Sequence, residues 1–337
     1  MSIATLDDVQ RQIALDDQGK VDFWTRSSRM SMDDQTGLFQ FDTKEPRRSS
    51  ESANIVDLDG RLLNATDHGM SQICSRVMGV PSRWFQQNPH ALQAQIFNHW
   101  IAKSPSNYLV RTRNNTIRAL LTSEYVPMNN SNVMEATLRN LPKQFTSAVH
   151  RFHFDDLTFF LKLTFPDLTR EWVRPSTGQK EMFRVGVMIS NSETGCASIR
   201  VEPFIFRQAC TNDLIVEQDR AWRKQHRWVS QPVLNQLVEV ALRRALQDGA
   251  DAMEDFERLD AERVKEPEKT IEYLLRTGKF AEKYVDMTKK AFHEEPGDTR
   301  FAVVSAITRM AQLLPEPQRI EFERYAGKVM RQRHWLN

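Results

Sequence analysis

The chain has 337 residues, of which 27% are charged and 40% hydrophobic, and its formal net charge at pH 7 is +2. Such a composition is typical of a globular protein with a large core. No apolar run approaches the roughly 18 residues of a membrane-spanning helix, and the polar, acidic N-terminus argues against a signal peptide. The three cysteines form no CxxC pair. We therefore expect a cytoplasmic protein with reduced thiols and no membrane partner.

The first hundred residues predict short elements. Apolar residues at helical spacing predict a helix over residues 3–18, and residues 20–60 read as short strands and turns around a polar loop. Thr66 or Asp67 is expected to cap a helix that ends at Gly79. A short helical turn should follow from Pro81, and Pro89 should begin a longer helix.

The middle of the chain is rich in strand signals. Two predicted strands flank a hairpin turn at Asn114-Asn115, and a helix is expected over residues 129–141. The later predicted strands cover residues 147–154, 157–165, 181–190, 197–210 and 214–217. Antiparallel strands with segregated helices give an α+β class.

The last third of the chain predicts only helices, punctuated by prolines. They cover residues 232–251, 252–264, 267–277, 279–293, 298–314 and 316–333. We divide the chain into an N-terminal part with a helix and short strands (1–60), an α+β core with an antiparallel sheet (61–229) and a helical C-terminal region (230–337).

Signatures of catalysis are weak. The sequence has no HExxH, GxSxG, P-loop or GxGxxG motif, so no catalytic residue, metal or other cofactor is assigned. Cys210 is a candidate thiol nucleophile, although a cysteine at the end of an apolar strand is more often packed in a core. Asp155, Asp156 and Glu202 are candidate Mg²⁺ ligands of a nuclease, although paired aspartates at a strand end more often form a turn.

Basic residues recur on the predicted strands. Residues 1–60 hold twelve acidic and seven basic residues, whereas residues 105–230 hold twelve acidic and seventeen basic ones. Strands buried on both faces would not carry so many polar groups, which favours a sheet with one exposed functional face. The candidate phosphate contacts are Arg111, Arg113, Arg118, Arg184, Arg200 and Arg207. Asn191 and Asn212 are expected to fix the turns that present them or to touch a nucleic-acid strand directly.

Aromatic residues near these arginines (Tyr108, Phe204 and Phe206) are candidates to stack on unpaired bases. The alternative is a solvated sheet face on which the arginines form salt bridges with Glu181, Glu193 and Glu202.

Three blocks of sequence carry a resemblance to a known family: a capped helix that ends in GVP, the segment RTRNNTIRALLTSEYVPMNN, and the segment VGVMISNSETGCASIRVEPFIFRQACTND. Over about residues 60–230 the chain resembles a phage- and plasmid-borne group known only as a domain of unknown function (number 932 in that series). Asp213 stands where the family pattern leads us to expect a glycine. The resemblance implies a mobile-element setting and carries over no catalytic residues.

Some proteins of that setting anneal single strands during phage recombination, which is an analogy at the level of fold. Our leading hypothesis is a non-enzymatic protein of phage or plasmid type that binds and anneals single-stranded DNA or another nucleic acid. It would act as a homo-oligomer without a nucleotide cofactor. The alternatives are a protein-interaction or assembly module, such as a structural component or an inhibitor of a host factor, and a metal-dependent nuclease. The leading hypothesis requires the six arginines to gather on one groove.

Overall fold

The structure is a computed structural model that describes residues 4–42, 61–103, 105–208, 212–216, 222–227, 229–332 and 335. The chain forms two curled, mostly antiparallel sheets with helices packed around them, and it ends in a run of helices. The predicted α+β class is confirmed, although the strands divide between two sheets.

The first sheet has the strand order β1-β5-β6-β4-β3-β2. Its strands are β1 (Lys20–Arg26), β2 (Met30–Met32), β3 (Phe39–Phe41), β4 (Leu62–Ala65), β5 (Asn107–Arg113) and β6 (Thr116–Thr122). Three helices pack on it around a shared apolar core: α2 (Asp67–Ile73), α3 (Ser82–Gln86) and α4 (His90–Lys103). A π-helical turn, Cys74–Met78, continues α2.

The second sheet has the order β11-β10-β9-β8-β7, and β12 pairs with the other end of β10. Its strands are β7 (Ala148–Phe154), β8 (Phe159–Val173), β9 (Lys180–Asn191), β10 (Ile199–Arg207), β11 (Asn212–Ile215) and β12 (Trp222–Lys224). The pairing of β8 with β9 shifts register between Thr164 and Thr169. Pro166 lies inside this irregularity, where a residue without an N–H is tolerated.

Helices cover both faces of the second sheet. They are α1 (Leu6–Asp17), α5 (Asn130–Asn140), α6 (Gln231–Arg258), α7 (Pro267–Thr277), α8 (Glu282–Glu294), α9 (Arg300–Ala311) and α10 (Glu316–Arg331). Helix α6 packs on β9 and β10 over the main apolar core. Helix α10 lies on the opposite face, where Ile320 joins a small cluster with Phe160, Met188 and Phe204.

Several local predictions are confirmed. Thr66 caps α2, since its hydroxyl accepts a hydrogen bond from the Gly69 N–H, and Asn114 takes a left-handed backbone at φ 52° in the β5–β6 turn. Two other predictions are wrong: residues 231–258 form one helix instead of breaking at 251, and β12 was not expected. The polar loop after residue 42 and the Asp59-Gly60 turn lie outside the described residues.

The division into domains stays a prediction, and its two boundaries lie at different kinds of place in the fold. Strand β1 pairs with β5 along its full length, so the boundary placed between residues 60 and 61 runs through a single sheet. The boundary at 229/230 coincides with the start of the helical region at Gln231. That region still packs on the second sheet through α6 and α10.

Gly249 sets the distance between α6 and β9. A Cβ atom at this position would lie 2.7 Å from Cγ1 of Val185, a stiff β-branched side chain. We expect Gly249→Ala to destabilise the protein although alanine favours the helix by about 1 kcal/mol. In a Val185→Ala background the same change should stabilise, because the clash is gone. Urea unfolding of the four proteins measures the coupling, which we expect at about 1–3 kcal/mol. A Gly249→Ala effect of the same sign in both backgrounds would contradict this packing.

Candidate functional site

The six predicted phosphate contacts do not share a face. Arg111, Arg113 and Arg118 lie on the first sheet, whereas Arg184, Arg200 and Arg207 lie on the second. Side chains alternate along a strand, so Arg200 and Arg207, seven residues apart on β10, point to opposite faces. The prediction of one continuous basic face is therefore wrong.

Arg111 and Arg118 belong to a group of charges that is buried except for Asp22. We call it the junction cluster: Lys20, Asp22, Arg111, Arg118 and Glu193. The Arg111 Nε donates to Asp22 Oδ1 at 2.9 Å, and its Nη1 donates to the Glu193 carbonyl at 2.7 Å. The Arg118 Nη2 and the Lys20 Nζ both lie 2.9 Å from Glu193 Oε2. Neither guanidinium can reach an external phosphate, because Arg111 is 0% and Arg118 2% exposed.

The junction cluster keeps Glu193 ionised. Burial raises the pKa of this carboxyl, but the charges of Arg111, Lys20 and Arg118 outweigh burial and hold the pKa at about 2. The Asn130 N–H adds a hydrogen bond to Glu193 Oε1 at 2.8 Å. Glu193 thus receives donors from the first sheet and from α5 while it sits in the loop between β9 and β10.

The other predicted arginines also contact oxygen acceptors. Arg207 is buried, with its Nε 2.8 Å from Glu181 Oε2 and its Nη1 2.9 Å from Glu295 Oε2. Arg113 pairs with Asp16 and lies 3.5 Å from Asp156. Arg184 and Arg200 are half-buried, each with its own partner. The Arg184 Nε donates to Thr169 Oγ1 at 3.1 Å, and Arg200 Nη1 lies 3.8 Å from Glu202 Oε1.

The two predicted asparagines are buried. Asn191 donates to the Met128 carbonyl at 3.2 Å and to Asn130 Oδ1 at 2.9 Å, so it ties the end of β9 to the start of α5. Asn212 begins β11 and lies opposite Arg207. Its side-chain amide has no hydrogen-bond partner within the described part of the chain. Both side chains are buried, so neither is exposed to contact a nucleic-acid strand.

The candidate nuclease carboxylates form hydrogen bonds and ion pairs within the protein. Asp155 accepts hydrogen bonds from the backbone N–H groups of Leu157 and Thr158, which closes the β7–β8 turn. Glu202 forms a two-pronged pair with Arg324 at 2.9 and 2.5 Å. Across the described residues, no three His, Cys, Asp or Glu side chains group closely enough to hold a metal ion.

The predicted stacking aromatics are largely packed inside. Tyr108 and Phe204 are buried, and Phe206 is half-buried against His150 at 4.4 Å between ring centroids. They are therefore not positioned as an open platform for bases.

A cleft of about 290 Å³ lies where the β9–β10 loop meets the first sheet. We call it the junction cleft. Its lining combines polar, aromatic and basic side chains: Arg76, Leu121, Thr122, Tyr125, Gly195, Cys196, Ala197, Ser198, Gln225, His226 and Arg227. The rings of Tyr125 and His226 stack at 4.9 Å in its wall. Burial lowers the pKa of His226 to about 4, with Arg111 nearby adding to the shift, so this ring is neutral at pH 7.

The β9–β10 loop is held in place on several sides. The Tyr125 hydroxyl donates to the Ser192 carbonyl at 3.0 Å, and the Gln72 amide donates to the Thr194 carbonyl at 2.9 Å. Gly195 takes φ +81°, and a Cβ there would lie 2.9 Å from Leu121. The loop therefore presents Cys196 at a fixed position in the cleft.

Cys196 faces His68, the second residue of α2. Its Sγ lies 3.5 Å from Nε2 and 3.7 Å from Nδ1 of the imidazole. The residues are separated by 128 positions, and no motif in either segment marks them as a pair, so the pair could not be predicted from the sequence. The thiol that the sequence did suggest, Cys210, lies outside the described residues.

We call four arginines the basic rim: two in the lining of the junction cleft and two on β10 and β12, strands that begin and end next to lining residues. They are Arg76, Arg227, Arg200 and Arg223. Arg76 and Arg227 line the cleft, and Arg227 pairs with Glu124 at 3.1 Å between two exposed side chains. Arg200 and Arg223 are directly opposite each other on β10 and β12. Like charges opposite each other destabilise a sheet unless acidic groups balance them, and Glu202 Oε1 lies 3.8 Å from Arg200 Nη1.

The comparisons with known proteins add no relative: no family model, no curated protein and no solved structure matches this chain. The resemblance to the phage- and plasmid-borne family stays a prediction. Among the described residues, no helix combines the length and apolar character that crossing a membrane requires.

The junction cluster makes an acid-stability prediction. The folded-state pKa of Glu193 lies below its ordinary value, so its stabilisation is complete above about pH 4.5 and is lost as the pH falls toward 2. That loss should be about 3 kcal/mol. Glu193→Gln should cost about 3–5 kcal/mol at pH 7, because it leaves buried cations unbalanced, and should remove this part of the acid dependence.

Denaturant unfolding at pH 7, 4 and 3 measures both effects. The matched control is Glu135→Gln, which breaks an exposed pair with Arg139 and should change stability by less than about 0.5 kcal/mol. Equal costs for the two variants at pH 7 would contradict the cluster's role.

Proposed function

We propose that this protein binds single-stranded nucleic acid along the basic rim and the junction cleft. The proposal keeps the function expected from the sequence and moves it to other residues. The observation that carries it is the cross-strand pair Arg200 and Arg223, which continues into a cleft lined by Arg76 and Arg227. Guanidinium groups match phosphate oxygens in geometry and charge, and they keep their charge at every physiological pH.

The cleft also suits the rest of a nucleotide. The half-buried ring of Tyr125 offers an aromatic surface in the cleft wall, and Thr122, Ser198 and Gln225 offer hydrogen-bonding groups. Stacking on an aromatic ring tolerates any base, whereas a duplex would keep its bases paired and out of reach. These features favour a single strand whose backbone follows the rim.

Salt dependence tests this proposal. We expect a labelled single strand to bind at 50 mM salt and to bind much more weakly at 200 mM, because each neutralised phosphate releases counterions. Arg223→Ala combined with Arg227→Ala should lower the slope of log affinity against log salt by about 1.4, or about 0.7 per phosphate contact. The loss should be similar for strands of different sequence.

The matched control is Arg139→Ala combined with Arg243→Ala, which removes the same charge from exposed positions on α5 and α6. No binding at low salt, or an equal effect of the control pair, would count against the proposal. Degradation of the strand on adding Mg²⁺ would instead support a nuclease.

A second candidate function is self-assembly through apolar side chains on the surface. Trp84 is 48% and Trp100 43% exposed on α3 and α4, and Val240 is 63% exposed on α6. Their number supports the alternative of an assembly module, because large apolar groups at a surface often mark interfaces.

Sedimentation over a range of protein concentrations tests self-assembly. We expect a homo-oligomer whose association is weakened by Trp100→Glu or by Val240→Lys, since a charge at an apolar contact must lose its water. Arg243→Glu on the same helix as Val240 serves as a control for changed charge. A monomer at every concentration would exclude this function.

A further inference from the structure

The Cys196–His68 pair has the geometry of a reactive thiol. The Sγ atom lies within hydrogen-bond range of the imidazole, and the Thr194 hydroxyl lies 3.7 Å away. The Gln72 amide N–H, 2.8 Å from His68 Nε2, can donate to that nitrogen when it carries no proton, and a protonated Nε2 can instead donate to the Thr194 carbonyl at 3.2 Å. A thiol beside an oriented base can lose its proton to that base and become the nucleophilic thiolate.

The charges around the pair agree with this geometry. Burial raises the pKa of the Cys196 thiol, but the hydrogen bonds with His68 and Thr194 outweigh burial and leave the pKa below its usual value. The hydrogen bond with Cys196 raises the pKa of His68 more than burial and Arg76 lower it. Both shifts favour a thiolate beside an imidazolium.

The other ionisable groups that face Cys196 come from three elements. Arg76 extends from the π-helical turn, Tyr125 from the segment after β6, and His226 and Arg227 from the segment after β12. Among the described residues that line the junction cleft there is no carboxylate, and Glu124, next to Tyr125, pairs with Arg227. The surroundings of the thiol are therefore cationic at neutral pH.

Access distinguishes Cys196 from the other described thiol. Cys196 is exposed in the junction cleft, whereas Cys74 is fully buried and burial raises its pKa to about 11. A reagent in solution can reach the first and not the second. The cleft is also close in size to the smallest sites that hold small molecules, which begin at about 300 Å³.

We propose that Cys196 is a modification site that takes up small anionic thiols as mixed disulfides. The Cys196 thiolate attacks one sulfur of an anionic disulfide, RS–SR. The new Cys196–SR bond forms while the old S–S bond breaks, and its electron pair leaves as the thiolate RS⁻. His68 holds the proton that the thiol released. Arg76 and Arg227 attract the carboxylates of the reagent, which gives a preference for anionic over cationic disulfides.

The test uses the full chain after reduction and three disulfides: dithiobis(2-nitrobenzoate), which is anionic, dithiodipyridine, which is neutral, and cystamine, which is cationic. We expect Cys196 to be the fast-reacting site by peptide mass spectrometry, with the order of rates anionic, neutral, cationic after normalisation to free cysteine. Cys196→Ser should abolish the fast phase. The proposal does not depend on nucleic-acid binding, and the assay contains none.

Two further variants separate the roles. His68→Asn should raise the pKa of the thiol, move the acid limb of the pH–rate profile upward and slow the reaction at pH 6 by about three- to fourfold per pKa unit. The loss stays below tenfold per unit because the thiolate that remains is a stronger nucleophile. Arg76→Gln should reduce the rate with the anionic reagent and leave the neutral one unchanged. Glu124→Gln, the matched control, should not slow the anionic reagent.

Thermal unfolding of each variant confirms that it is folded before its rate is compared. An unchanged pH profile in His68→Asn would overturn the proposal, as would fast modification at another cysteine. Equal effects of Arg76→Gln on all three reagents would overturn the preference for anions.

Discussion

Glu193 is the charge on which the arrangement of the two sheets depends. A carboxylate that is removed from water costs several kcal/mol unless cations and hydrogen-bond donors surround it. Here the donors come from Lys20 on β1, Arg118 on β6 and the backbone of Asn130. The β9–β10 loop that carries Glu193 belongs to the second sheet, so one ionised side chain links the two sheets.

Similar buried charges attach the C-terminal helices. Lys162 on β8 lies 2.6 Å from Asp213 and 2.5 Å from Glu323 of α10, and all three side chains are 0% exposed. Arg174 and Arg207 join the far end of the sheet to Glu295, which follows α8. Ion pairs of this kind often add little net stability compared with apolar packing, but an incorrect docking would leave a charge unpaired. In this protein they select which helix lies on which face.

Local sequence signals predicted the elements well, because their causes are local. The Asn114 turn, the Thr66 cap and the helix that starts after Asn129 each depend on residues within four positions. The alternative of salt bridges with Glu181, Glu193 and Glu202 named real partners, since they pair with Arg207, Arg118 and Arg200. The shared basic face failed because further partners are distant: Arg111 pairs with Asp22, 89 positions away, and Arg207 with Glu295, 88 positions away. A charged residue in a strand looks the same in sequence whether it faces water or a buried carboxylate.

The same dependence on distant partners explains why the site was not predicted from the sequence. Polar strands were read as evidence for a solvated face, but a face can be polar and buried when its charges neutralise one another. His68 and Cys196 could not be paired from the sequence, because only the docking of two sheets brings them together. Of the basic residues in the cleft lining and its rim, Arg76, Arg223 and Arg227 are exposed at the surface.

The junction cluster and the junction cleft share one stretch of backbone. Arg111 donates to the Glu193 carbonyl, and Tyr125 donates to the Ser192 carbonyl, so the buried charges and the cleft wall hold the same stretch of backbone. Cys196 follows Glu193 by three residues, with Gly195 supplying the left-handed turn between them. Because the loop is anchored by a charge that cannot leave its partners without a large cost, the thiol stays beside His68. The rigidity needed to position a nucleophile therefore comes from the interaction that joins the sheets, and a ligand in the cleft contacts a surface that this interaction has already fixed.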